Sequence, residues 1–428
     1  MRVRRLFAVV LSFVAAIAVF SATRGDERAA AGPPVVGGLP EVRASADTDA
    51  RIAQLQADVR SGRTASAAAL ADAYLQKVRE TGDASFYTRA DTLLDAALAR
   101  DRFDADALVE AATLAAARHD FPDALALARR ARAAQPGTVA PLPILVDALV
   151  ELGRYGAAER ALQRLVDLKP NLTAYARISY VRELYGDLPG AVDAIRRAVS
   201  AGGPVPENVG YVQSLLGGLE LQRGRLGAAR HAFGLALHAM PDYAPAAAGR
   251  ARLAAAQGDL PGAIARWRRV VDRLPLPEYV IGLGEAELAA GRGADGRRDL
   301  ELVRAQQALL AGAGVNTDVE LAIYEADHGS PARGVRLARA AWRTAPSVRS
   351  ADALGWALTR ADRPEAGLRW AHRALRLGTV EPSLRYHAGM AALAAGRDAE
   401  GRRQLRVAVA HGLATQPLHL MRAQEALR

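Results

Sequence analysis

The sequence predicts an all-α superhelical solenoid of about ten antiparallel helical hairpins with a C-terminal capping helix. Three observations carry this. A Gly-x-(aromatic or Leu)-x-x-Ala signature recurs at Gly153, Gly186, Gly224 and Gly258, with steps of 33, 38 and 34 residues. Prolines follow the small residue of the units by about a helix length, at Pro136, Pro170, Pro241, Pro275 and Pro346; each ends one helix and admits the next. The composition is 50% hydrophobic but only 5% aromatic, and its abundant Ala and Arg are good helix formers.

The elements follow in chain order. Residues 1–24 read as an export segment. Arg2, Arg4 and Arg5 precede an uncharged, mostly apolar run from Leu6 to Ala22. That is the charged and apolar pair of a signal peptide or a signal anchor. The run is long for the first and short for the second, and both readings place the rest of the chain outside the cytoplasm. Residues 25–48, with Pro33, Pro34 and Pro40 and no helical period, read as a disordered linker. Residues 49–104 read as a degenerate helical unit, with Leu94 and Ala97 in phase with the later repeats.

The array proper spans 105–412. Leu142, Leu145, Leu149 and Leu152 share one helical face before Gly153, and Ala158, Leu162 and Leu165 share another before Pro170. A hairpin of two such stripes cannot bury itself alone, whereas stacked hairpins can. The two long steps are expected to form a loop at Gly202-Gly203-Pro204 and a longer helix near Gln306 to Ala311. Gly153, Gly186 and Gly224 recur 105 residues on as Gly258, Gly291 and Gly329. A duplicated three-unit block and a shared repeat period explain this equally well. Residues 413–428 read as the cap that covers the last open face.

These residues resemble the tetratricopeptide repeat family. Its small eighth position is matched at Gly217, Gly284, Gly355 and Gly389. Its twentieth is matched at Ala124, Ala158, Ala191, Ala229 and Ala263, then at Gly296, Gly334, Gly367 and Gly401. The family's Trp at the fourth position is missing throughout. Overall the chain looks like the long exported repeat proteins of GC-rich bacteria. The resemblance implies a scaffold or adaptor that binds a protein or peptide in a concave groove lined by the first helix of each hairpin. The family's groove positions fall here on Asp147, Glu151, Tyr180, Glu183, Tyr211, Glu278, Glu285, Asp327, Asp352, Trp356 and Tyr386. These side chains are also too polar for a packed seam, and Tyr and Trp offer large contact area with a polar handle.

Charge is segregated along the array. The net charge is +10. Arginine pairs such as Arg129-Arg130, Arg196-Arg197, Arg268-Arg269, Arg297-Arg298 and Arg402-Arg403 recur in the second helices, while the first helices are net acidic. In the family's geometry that gives a basic convex back and an acidic groove. The groove would favour a basic segment; the back would favour an anionic envelope surface such as lipid headgroups. Nucleic acid is not expected, because the groove is not basic and stacking aromatics are few.

No catalytic constellation is legible, so the chain reads as a non-enzyme without a cofactor or metal. Cysteine is absent, which excludes thiolate chemistry and disulfides. Gly291 to Gly296 matches GxGxxG, but the preceding segment reads as helix, not the strand a dinucleotide site needs. The eight histidines are scattered, with no HExxH. Asn171-Leu172-Thr173 is a glycosylation sequon in form, but Thr173 is expected to start a helix after Pro170. Trp342, Trp356 and Trp370, fourteen apart, read mostly as core.

Overall fold

Local signals set the hairpins. Asp104, Asp120, Asp187 and Asp259 each sit before a helix, and each side chain accepts from the backbone N–H three residues on; this satisfies a donor the helix leaves open. Ser347 and Ser350 form a reciprocal capping box. Asn171, not Thr173, caps its helix, accepting from Ala174 N–H. Between the paired helices the chain turns through a left-handed residue. It is Gly82, Gly153, Gly186, Gly224, Gly258, Gly291 or Gly396 in seven hairpins and His119 or Asp362 in two; the hairpin that turns at Gly329, with φ -134°, is the exception.

The computed structural model describes residues 46–63 and 66–428. The export segment and nearly all of the linker lie outside the described residues. Helix α1 (Ala46–Arg60) leads into ten hairpins. The first three are α2 (Ser66–Thr81) with α3 (Ser85–Arg100), α4 (Ala105–Ala117) with α5 (Phe121–Ala134), and α6 (Leu142–Glu151) with α7 (Tyr155–Leu168). The next three are α8 (Leu172–Leu184) with α9 (Leu188–Ala201), α10 (Pro206–Gln222) with α11 (Leu226–Ala239), and α12 (Ala244–Ala256) with α13 (Leu260–Arg273). Then come α14 (Pro277–Ala289) with α15 (Gly293–Gly312), α16 (Asp318–His328) with α17 (Pro331–Thr344), α18 (Val348–Arg360) with α19 (Pro364–Ala374), and α20 (Pro382–Ala394) with α21 (Asp398–Ala410). A short 3₁₀ turn (Leu413–Thr415) and α22 (Pro417–Leu427) follow. The described residues contain no strand. The degenerate unit therefore holds three helices, and α15 is the predicted long one at 20 residues.

Close crossing within a hairpin uses the small positions. A Cβ at Gly355 would lie 3.1 Å from the Gly367 carbonyl oxygen, and one at Gly389 would lie 3.1 Å from that of Gly401. The Gly291–Gly296 segment is one such turn: Gly291 takes the left-handed position and Gly296 packs against Gly284. Leu142, Leu145, Leu149 and Leu152 are buried as their period requires. At this depth each contributes roughly 1.5–3 kcal/mol.

The superhelix is wound tightly enough that its turns touch. Asn316 N–H donates to the Arg118 carbonyl at 2.8 Å, and the His119 ring lies 2.9 Å from the Asn316 carbonyl, 197 residues away. Val348 N–H donates to the Tyr155 hydroxyl at 2.8 Å, 193 residues away. Thr379 Oγ1 donates to the Glu183 carbonyl at 3.4 Å, 196 residues away. Gly412 packs on the Leu221 carbonyl. Each contact joins one hairpin to the element six hairpins later. In each, the segment that leads into the later element lands beside the turn between the paired helices of the earlier unit. The 3₁₀ turn also packs on α12, and α22 on α14 as well as on α20 and α21. The cap thus crosses to an earlier turn instead of only covering the last hairpin.

Candidate functional site

First-helix residues at helical spacing point inward together. On α14 these are Glu278, Gly282 and Glu285; on α16, Glu320, Ile323 and Asp327; on α20, Leu384 and His387. Residues three and four apart share a helix face. Together these faces line a half-open cavity of about 320 Å³. Arg349 and Asp352 of α18, Glu381, and Gln416 and His419 near the end of the chain complete its lining.

None of the eleven groove candidates is exposed. Asp147, Tyr211, Glu285, Asp352, Trp356 and Tyr386 are buried, and Glu151, Tyr180, Glu183, Glu278 and Asp327 are half-buried. Glu278, Glu285, Asp327 and Asp352 line the cavity. Trp356 stacks on His387 with centroids 4.5 Å apart, and Tyr386 stacks on His419 at 4.5 Å. These six come together.

The other five form a second cluster in the earlier turn. Arg177, 2% exposed, donates to Asp147 Oδ2 at 2.5 Å and to the Pro143 and Thr173 carbonyls at 3.3 and 3.1 Å. Burial still raises the Asp147 carboxyl, against the pull of Arg177. Tyr180 Oη donates to Glu151 Oε1 and accepts from Arg349 Nε, both at 3.4 Å. Arg349 also pairs with Glu381 at 3.5 Å, so it bridges the two turns and the two clusters. Burial pushes Glu183 up to about 7, although Gln222 hydrogen-bonds it.

Sequence reasoning missed the histidines. His328, His387 and His419 lie far apart in the chain yet converge on Asp327. His328 Nε2 sits 2.9 Å from Glu285 Oε1, and His387 Nδ1 2.9 Å from Asp352 Oδ2. His419 Nε2 sits 3.8 Å from Asp327 Oδ2. Burial alone would raise the Asp327 carboxyl; contact with His419 and the charges of His387 and His328 overcome it and hold Asp327 well below the usual carboxylate range. The Asp327-His328 dipeptide on a groove face was the one local signal.

On the outside, Arg129, Arg130, Arg196, Arg197, Arg268, Arg269, Arg297, Arg298, Arg402 and Arg403 are all exposed. The second helices thus form the basic surface expected of them. Trp342 and Trp370, on α17 and α19, are half-buried there, edge to face at 4.7 Å, with the Arg373 guanidinium over both rings. Of the three expected core tryptophans only Trp356 is buried. No helix among the described residues is long and apolar enough to cross a membrane.

Residues 145–206 and 248–308 match the family model of the tetratricopeptide repeat. No curated protein matches the chain. Among solved structures, the chain is similar to a human IFIT1 dimer with PPP-AAAA, at 14% identity and TM-score 0.49, over 74% of this chain and 73% of that one. It is also similar to MamA, at 18% identity and TM-score 0.30, over 38% of this chain and 93% of that one. The tetratricopeptide domain of P58(IPK) is 15% identical, with TM-score 0.23, over 89% of this chain and 98% of that one. The family match falls on units in the middle of ten consecutive hairpins of one build, and by this match residues 145–206 and 248–308 are tetratricopeptide repeats.

Proposed function

We propose that the protein is a non-enzymatic scaffold that holds a protein partner on the outer, second-helix face of its superhelix. The observation that carries this reading is the burial of the inner face. Every groove candidate is buried or half-buried, and several are already engaged by neighbouring units. The outer face offers rows of exposed arginines and the half-buried Trp342, Trp370 and Arg373 group. Tryptophan and arginine dominate binding energy at protein interfaces. The charge favours an acidic partner, with affinity that falls as salt rises.

Two triple variants test it by pull-down. Arg297→Gln, Arg298→Gln and Arg336→Gln together should release the partner, whereas Glu151→Gln, Glu183→Gln and Glu278→Gln together should retain it. The reverse pattern would return binding to the groove.

A second reading has the same arginines meet anionic lipid. It is favoured by the apolar run Leu6 to Ala22 behind Arg2, Arg4 and Arg5, which would export the chain or tether it to a membrane. Cosedimentation with anionic but not zwitterionic vesicles, lost in the arginine variant, would favour this reading. A reporter fused after Asp47 should be active only outside the cytoplasm, and cytoplasmic activity would remove export from the account.

A further inference from the structure

We propose that Glu285, Asp327 and His419 form a binding site for one divalent transition-metal ion, zinc above all, which ties the C-terminal helix α22 to α14 and α16. One ligand atom from each of the three lies within 4.8 Å of the other two. Tetrahedral zinc with bonds of about 2.1 Å sets its ligands about 3.4 Å apart. Side-chain adjustments of about an ångström therefore close the site.

The hydrogen bonds around the cluster leave the right atoms free. His419, 5% exposed, has its Nδ1 2.9 Å from Gln416 Oε1. Gln416 uses its own Nε2 to donate to Ser383 Oγ at 2.8 Å. Its oxygen therefore accepts from His419 Nδ1–H, and the neutral ring carries its lone pair on Nε2. That nitrogen is buried and has no hydrogen-bond partner among the described residues. It faces Asp327 Oδ2 at 3.8 Å. Asp327 Oδ1 is likewise buried without a hydrogen bond; the nearest cation, Arg422, stands 3.8 Å off. His328 anchors Glu285 through Oε1, leaving Oε2 for an ion. An outer partner that fixes the tautomer and orientation of a ligand is the usual second layer of a metal site.

Charge points the same way. The cavity is lined by six carboxylates against two arginines and three histidines, and Arg349 is already paired with Glu381. One nitrogen and two carboxylate oxygens suit zinc and its neighbours better than calcium or magnesium, which prefer all-oxygen sets. The adjoining cavity leaves room for a fourth ligand.

Calorimetric titration of the chelator-treated full chain with zinc tests this. We expect one ion per chain and a higher melting temperature on loading, since binding only the folded form stabilises it. His419→Gln and Asp327→Asn should each weaken binding at least about 100-fold. His372→Ala, at an exposed histidine outside the cavity, should leave binding unchanged. Cobalt should give a four-coordinate visible spectrum that His419→Gln abolishes, a readout that stands even if Asp327→Asn fails to fold. Failure of the wild-type chain to bind zinc, undiminished zinc affinity in His419→Gln, or tighter binding of magnesium than of zinc would each overturn the proposal.

Discussion

Glu183 shows what burial does to a groove candidate. Its spacing on α8 made it one of the groove candidates of the sequence. Its surroundings come from Gln222 in the next unit and from Thr379 and Glu381 in the next turn, which no local pattern encodes. Burial lifts its carboxyl from 4.5 to about 7. The folded chain therefore keeps a proton that the unfolded chain releases as pH rises from about 4.5 to 7. Stability from this group is fully present below 4.5 and is lost as pH rises through 7. At about 1.4 kcal/mol per unit the loss approaches about 3 kcal/mol. Glu183→Gln should therefore melt above the wild type at pH 8, with the difference shrinking towards pH 5. A constant difference across that range would show that Glu183 is ionised throughout.

At the scale of helices and turns, most of the architecture was legible. Helix-flanking prolines and turn glycines act within a few residues, so the sequence alone locates them; the aspartate caps are as local, but the sequence reading did not single them out. The same glycines differ in ways the sequence hides. Gly153 has φ +67°, and a Cβ there would lie 2.3 Å from the Pro346 carbonyl oxygen of the next turn. Gly258 has φ +79° with nothing within 4 Å. Gly258→Ala should cost only the left-handed strain of about 1–2 kcal/mol. Gly153→Ala should cost about 2 kcal/mol more, because two backbones must separate. Denaturant midpoints compare the two, and equal losses would mean that the turns are not in contact. The histidine cluster was illegible for a related reason. α16, α20 and α22 bring His328, His387 and His419 together only after the superhelix has wound, and α22 crosses to α14 instead of stacking in line.

For the whole molecule, the expected solenoid is present, and its successive turns touch. The contacts between turns each set a backbone group or a lone polar side chain against a partner six hairpins away, and such pairings leave no local signature. Four groove carboxylates line a half-open cavity, and the binding surface proposed above is the arginine-rich outer face. The account therefore rests on contact between turns. The chain has no cysteine, so a pair can be introduced without background. Asn316 N–H lies 2.8 Å from the Arg118 carbonyl oxygen, and the double variant Arg118→Cys, Asn316→Cys places one thiol on each side of that contact. A short bismaleimide should join them within a single chain in high yield, giving a faster-migrating species in denaturing electrophoresis, with neither single variant doing so. An uncross-linked monomer in the double variant, with both thiols reactive and the helical spectrum intact, would show an open superhelix and contradict the account.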